Sequence, residues 1–315
     1  MKTIIIKEAG GIDNLIHSEV SKPIIKENEV LVKVKAISIN PVDVKARANE
    51  NMLNWIYGDL RPIVLGWDIS GEILEKGTLV NDFHINDEVF GMVNFIGNGS
   101  AYAEYVAVPA DQLALKPQNI THEEAAAATL AALTAWQVLV ERAKIKEGDK
   151  VLIHAASGGV GHYAVQIAKY FGAYVIGTSS AENKNFVLSL GADEHIDYKN
   201  ESLSDCINTV DIVLDTISGD VLLQSIDIVK EKGIIITIPS PEFSAEASQK
   251  AKDRNIELEF LMVKSSGANM RGIASLLRSD KIKSTVSKTF SFDEMGMAHL
   301  QVETGRTVGK IVVVL

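Results

Sequence analysis

The sequence predicts an α/β protein, a doubly wound parallel sheet joined to a second, mainly β domain. Three observations carry that expectation. From Lys150 to Val263 apolar runs of buried-strand type alternate with helical stretches, and the first run ends in a glycine-rich turn. Ahead of them lies a strand-rich, irregular stretch with Gly, Asn and Asp turn signals. A chain of 315 residues also exceeds one comfortable core, so two domains are expected.

The β part begins with a half-buried strand, in which Val30, Val32, Val34 and Ala36 alternate with Leu31, Lys33 and Lys35. Gly66 to Leu74, Asp87 to Val93 and Ala101 to Val108 follow as further strands. Thr121-His122-Glu123-Glu124 has the pattern of a capping box and opens an alanine-rich helix. Leu130 to Ala143 continues it.

Lys150-Val151-Leu152-Ile153-His154 then reads as a strand, Ala155 to Gly161 as a tight turn, and Tyr163 to Phe171 as a helix stopped by Gly172. Ala173 to Thr178 is the next strand. A pyrophosphate needs backbone that approaches closely and a helix N-terminus with unpaired N–H groups. Ser157, Gly158, Gly159, Val160 and Gly161 supply that combination, although Ala156 stands where a glycine is usual. The order strand, turn, helix, strand therefore points to a dinucleotide.

Helices at Asn183–Leu190 and Gly219–Lys230 and strands at Val210–Asp215, Gly233–Ile238 and Leu258–Val263 complete the alternation. A helix at Asn269–Arg278 and a terminal strand at Gly309–Leu315 return to the first domain. Residues 119–264 are assigned to the dinucleotide-binding domain, and 1–118 with 265–315 to the other.

Composition narrows the function classes. The net charge of −10 disfavours nucleic-acid and anionic-membrane surfaces. The one cysteine, Cys206, excludes an intramolecular disulfide and a multi-cysteine zinc cluster. The apolar run after Met1 is too short for a signal peptide, so a cytoplasmic protein is the default expectation.

Several further pieces stand in a fixed order: Asn40-Pro41-Val42-Asp43, Pro62 to Gly71, Ala101 to Tyr105, Ala125 to Trp136, Gly148 to Ala155, Leu190 to Tyr198, and Gly305 to Lys310. With these the chain resembles the medium-chain dehydrogenase/reductase superfamily, and within it the zinc-independent quinone oxidoreductase (zeta-crystallin-like) branch. The resemblance runs essentially end to end. It implies a Rossmann domain and a GroES-like barrel domain formed by both chain ends, a nicotinamide cofactor and a homodimer. Zinc-dependent alcohol dehydrogenases place Cys where Asn40 stands and Gly-His-Glu where Gly66-Trp67-Asp68 stands. A catalytic zinc takes about three protein ligands and Trp cannot be one, so no metal site is expected.

Cofactor choice is read at the tip of the second strand, where an acidic residue would favour a bare ribose. Here the tip is Thr178-Ser179-Ser180, with Lys184 a turn further on and Glu182 as the counter-signal. Tyr198, by resemblance, approaches the adenosine phosphate. NADPH is the expected cofactor. The alternative is that the serines cap a helix and Lys184 is solvated.

Asn40 is either an Asx-type turn residue or, by resemblance, a polar group near the nicotinamide together with Asp43. Thr134 is either bonded to its own helix or, by resemblance, near the same ring. Tyr57, placed in a loop from Asn49 to Asp59, is the candidate proton donor, with an exposed loop tyrosine as the alternative. Ile238 and Pro239 end a parallel strand and line the cofactor site through their backbone. His154 reads as structural. Trp55, Tyr57, Trp67 and Phe95 form an apolar lining, and Arg47 and Arg61 read as solvated rather than as anion ligands.

The activity expected is hydride transfer from NADPH to a quinone or an α,β-unsaturated carbonyl, without zinc. A non-enzymatic NADPH-binding scaffold or storage-type protein is the alternative.

Overall fold

A computed structural model describes all residues, 1–315. The chain divides into two compact units, Met1–Leu133 with Lys264–Leu315, and Thr134–Val263.

The second unit holds a six-stranded parallel sheet. Its strands lie in the order Glu194–Asp197, Tyr174–Ser179, Lys150–Ile153, Val210–Asp215, Val229–Thr237 and Glu257–Phe260. The chain starts at Lys150 in the middle, builds outward, then crosses back to Val210 and builds the other way. Ile176 and Val213 both pair with Leu152. All three are buried, with Ile235, Leu222 and Ile226 in the same core. Strands covered on both faces account for the near-continuous apolar runs in the sequence. The reversal of direction lies between Lys150–Ile153 and Val210–Asp215, the place where doubly wound sheets bind ligands.

The first unit has a seven-stranded, mostly antiparallel sheet. Val286–Ser291, Lys310–Val314, Glu29–Ile39, Asp68–Lys76, Glu88–Met92 and Ala114–Leu115 are neighbours in that order, and Tyr105–Pro109 also pairs with Glu29–Ile39. A separate three-stranded sheet joins Ile16–Glu19, Lys2–Ile6 and Ile63–Val64. The terminal strand does return as expected: Ile311 pairs with Ile39 and Val312 with Ser38. That register sets Lys310 beside Asn40.

The sequence assigned residues 119–133 to the dinucleotide-binding domain, whereas they belong to the first unit. The reason is packing. The Thr121 box forms as expected, Thr121 Oγ1 accepting from Glu124 N at 3.2 Å and Glu124 Oε2 accepting from Thr121 N at 2.9 Å. The helix it starts, His122–Ala127, buries Ala126 and Ala127 against Ala36 and Val312. Small side chains let this helix lie directly on the sheet. The continuation is also not one α-helix: Leu130–Trp136 is α-helical and Gln137–Arg142 is π-helical. Tyr57 lies in no loop but at the end of a helix, Glu50–Tyr57, capped by Asn49, whose side chain accepts from Met52 N.

Candidate active site

In the second unit the strand Lys150–Ile153 leads through the turn at Ala155–Val160 into the helix Gly161–Tyr170. Ala155 is left-handed, with φ 46°, and its carbonyl accepts from Gly158 N at 2.8 Å. A Cβ on Gly161 would stand 2.2 Å from that same oxygen and 2.7 Å from Ala156 Cα. Only glycine lets the helix approach the strand end this closely. No side chain caps the helix, and the amides of Gly159, Val160 and Gly161 have no acceptor in the chain. Unpartnered amides at a helix start are what phosphate oxygens accept from, so the turn fits a dinucleotide.

Asn183 ties this turn to the tip of the second strand, donating through Nδ2 to Ser157 Oγ and to Ser180 Oγ, both at 3.3 Å. Ser179 Oγ donates to Ser180 O at 3.1 Å and lies 2.7 Å from His195 Nε2. Lys184 opens the helix Lys184–Ser189 and is exposed, as is Glu182. Tyr198 is exposed as well, with Lys199 Nζ 5.9 Å from its ring centre. Thr178 differs from the rest of the tip: its hydroxyl is buried, 3.1 Å from His154 Nδ1.

His154 is a strut. Its other ring nitrogen lies 2.8 Å from Ser225 Oγ, and burial pushes its pKa down to about 4, which keeps it neutral. Across the reversal point Asp215 is buried and satisfied, accepting from the Ile217 and Ser218 amides and from Thr237 Oγ1 at 2.6 Å. Ile238 N is taken by Asp215 O at 3.1 Å, so Ile238 and Pro239 are held at a strand end. Thr134 is buried at the start of this unit.

In the first unit a buried polar cluster surrounds Asn40. Its backbone N–H donates to Asp43 Oδ2 at 2.8 Å, and its Nδ2 donates to Asp68 Oδ2 at 2.7 Å. Its Oδ1 accepts from Lys310 Nζ, which also donates to Ile39 O at 3.2 Å. Asp68 Oδ1 accepts from Leu130 N at 3.0 Å. Two carboxyls and one ammonium share a site shut off from water. Burial, and then the charge of Asp68, push the Asp43 pKa up to about 7. The Asn40 amide, Lys310 and the Tyr102 hydroxyl pull it the other way. Burial likewise raises Asp68 and lowers Lys310, each offset by the other's charge. A neutral Asp43 beside an ionised Asp68–Lys310 pair is the charge state this arrangement favours.

Tyr102 and Tyr57 flank the cluster differently. The Tyr102 hydroxyl lies 2.9 Å from His299 Nε2, whereas the Tyr57 hydroxyl is buried without a partner, and so is Asp43 Oδ1. Burial raises the Tyr57 pKa well above the usual phenol value, and the Asp43 charge adds to it. The Tyr57 ring stacks on Trp67 at 6.2 Å, and Phe95 meets Trp67 edge-on at 5.2 Å. Trp67 is held by its Nε1–H, which donates to Gly97 O at 2.8 Å. These three do form one apolar wall; Trp55 does not join it and is 62% exposed.

Arg61 is half-buried and paired with Glu50 at 2.8 Å and Asn54 at 2.7 Å, and Arg47 departs further from the solvated reading. It is 3% exposed, donating to Gly10 O at 3.0 Å and to Glu303.

The sequence missed Asp68, Lys310, Tyr102 and His299 as parts of this cluster. Sheet register and tertiary packing join them, since the residues lie up to 270 positions apart. It also missed Asn183 and His195 at the strand tip, although a histidine on the neighbouring parallel strand was a usable signal. No group of three His, Cys, Asp or Glu side chains is placed to hold a metal ion. At the positions of two zinc ligands stand Asn40, engaged with Asp68 and Lys310, and Trp67, engaged with Gly97.

Comparison with known proteins agrees with this geometry. Residues 26–118 match the alcohol dehydrogenase GroES-like domain, and residues 190–313 match a family described as zinc-binding dehydrogenase. An NADPH-dependent alkenal/one oxidoreductase of Arabidopsis thaliana chloroplasts is 32% identical over 99% of this chain and 79% of its own length. The quinone oxidoreductase structure from Coxiella burnetii is 36% identical, with a TM-score of 0.93 over 100% of this chain and 99% of that one. The Escherichia coli quinone oxidoreductase complexed with NADPH is 25% identical, with a TM-score of 0.88 and full coverage of both chains. The chain belongs to the medium-chain dehydrogenase/reductase superfamily.

Proposed function

We propose that the protein is an NADPH-dependent, zinc-independent oxidoreductase that reduces quinones or α,β-unsaturated carbonyls. The observation that carries this reading is the glycine turn with its three free amides, joined through Asn183 to a strand that ends in serines rather than a carboxylate, with Lys184 a turn further on beside an exposed Glu182. Relatives named quinone oxidoreductase and alkenal/one oxidoreductase support the substrate class, and the NADPH complex of one supports the cofactor.

When bound, the nicotinamide supplies the hydride. The chain's own part is to hold, orient and protonate. Amides 159 to 161 take the pyrophosphate, and Ser179, Ser180 and Lys184 take the 2′-phosphate. Asn40 is a positioning residue: it locks Asp68 and Lys310 into a neutral pair and keeps one Nδ2 hydrogen in reserve.

Tyr57 is the proton donor. A buried hydroxyl without a partner costs about 1–3 kcal/mol, so its place is explained if a substrate oxygen completes it. The apolar wall of Tyr57, Trp67 and Phe95 suits a neutral conjugated acceptor. Such an acceptor delocalises the charge that zinc would otherwise stabilise.

The test is a cofactor-oxidation screen over benzoquinones, 2-alkenals and cyclic enones. Turnover of these and poor turnover of simple ketones is the expected result. Cofactor binding without turnover of any acceptor would favour the scaffold reading.

A further inference from the structure

We propose that His195 is a specificity residue for the 2′-phosphate of NADPH, taking up a proton when that phosphate binds beside Ser179 and Lys184. The inference rests on the NADPH reading above and adds to it a residue and a coupling to pH.

Parallel pairing sets Gly177 against His195 and Ser179 against Asp197, so the imidazole stands at the strand tip where cofactor choice is made. Its Nε2 lies 2.7 Å from Ser179 Oγ. A hydroxyl has one proton, and that of Ser179 goes to Ser180 O at 3.1 Å. Nε2 therefore carries the hydrogen and donates to Ser179. This leaves Nδ1 of the neutral ring as the atom that gains a proton. The ring is only partly buried, so water or a ligand reaches it.

Three charged groups act on the ring: Lys184 from the following helix, Asp197 on its own strand, and Glu201 just beyond. Partial burial and then the Lys184 charge push His195 below its ordinary value, against the two carboxylates. Without ligand the ring is neutral at pH 7. A 2′-phosphate with a charge of about −1.5 to −2 beside Lys184 reverses that balance and draws a proton onto Nδ1. A ribose with a free 2′-hydroxyl brings no such charge. Ser179, Lys184 and His195 would thus grip the phosphate from two adjacent strands and the next helix.

The test uses the full-length chain and calorimetric titration with adenosine 2′,5′-bisphosphate and with 5′-AMP, in buffers of different ionisation enthalpy. The wild type is expected to take up more protons on binding the bisphosphate than His195→Gln does, with no such difference for 5′-AMP. Bisphosphate affinity should be about tenfold lower in His195→Gln at pH 6.5, and the gap should close towards pH 8.5. If Lys184→Ala weakens the bisphosphate selectively while His195→Gln matches the wild type in proton count and pH profile, His195 only buttresses Ser179 and the inference is overturned alone. If the wild type binds the bisphosphate no better than 5′-AMP, the NADPH reading falls and this inference with it.

Discussion

Lys310 donates a hydrogen bond to Asn40 across 270 positions of sequence, and the contact is buried. The pairing of Ile311 with Ile39 brings it about. The ammonium then serves as the one cation for Asp43 and Asp68, and the carboxyl it leaves uncompensated is that of Asp43, with Oδ1 unpartnered.

That imbalance has a pH signature. Asp43 is raised to about 7 in the folded chain, against roughly 3.9 when unfolded. Between those values the folded chain keeps a proton that the unfolded chain has lost, so this group makes stability fall as pH rises from about 4 to 7. Asp43→Asn keeps the acceptor for Asn40 N–H and removes the titration. Urea midpoints of the variant should decline less over that window than those of the wild type. Parallel curves would show that Asp43 is ionised throughout.

Tyr57→Phe separates catalysis from stability. Removing an unpartnered buried hydroxyl should raise unfolding free energy by about 1–3 kcal/mol, measured by denaturant titration. The same change should lower kcat about tenfold, because water replaces a phenol as donor imperfectly. An unchanged kcat would move the proton donor elsewhere.

Gly158 and Gly161 should respond differently to valine. A Cβ at 158 meets Ala155 O at 3.2 Å, a contact the turn can absorb, whereas one at 161 meets it at 2.2 Å. Gly158→Val should fold and lose dinucleotide binding, and Gly161→Val should lose both. Circular dichroism and cofactor titration distinguish the two. Normal NADPH affinity in a folded Gly158→Val chain would remove the phosphate role of the turn.

NADPH should bind at least about tenfold more tightly than NADH, or about 1.4 kcal/mol. Lys184→Ala should erase most of that preference and leave NADH nearly unchanged. Fluorescence titration with both cofactors checks this; equal losses would show that Lys184 does not meet the 2′-phosphate.

Local pattern made the second unit legible. The central strands there are apolar runs, the helices before Gly172 and Gly191 end in glycine, and the dinucleotide turn is contiguous from Ala155 to Gly161, whereas the strand Glu194–Asp197 and the helix Ala245–Asp253 are too polar to give such a pattern and were not expected. The Asn40 cluster was only half legible. Asn40 and Asp43 are three residues apart and form their box locally, but Asp68, Tyr102, His299 and Lys310 reach them through sheet register and tertiary packing. The solvated reading of Arg47 failed for the same reason, since its partner Glu303 lies 256 positions away. The short helix Glu50–Tyr57 was missed because two asparagines weaken its propensity, and its Asn49 cap resembles a turn residue.

Zinc-independent reduction of a conjugated acceptor is tested most directly by steady-state oxidation of NADPH with 1,4-benzoquinone and with a 2-alkenal. NADP⁺ reduction by ethanol is measured beside it, and every reaction is run with and without a metal chelator. At least one conjugated acceptor should turn over, chelator should change nothing, and ethanol should be a poor substrate. Efficient ethanol oxidation abolished by the chelator would contradict the zinc-independent mechanism.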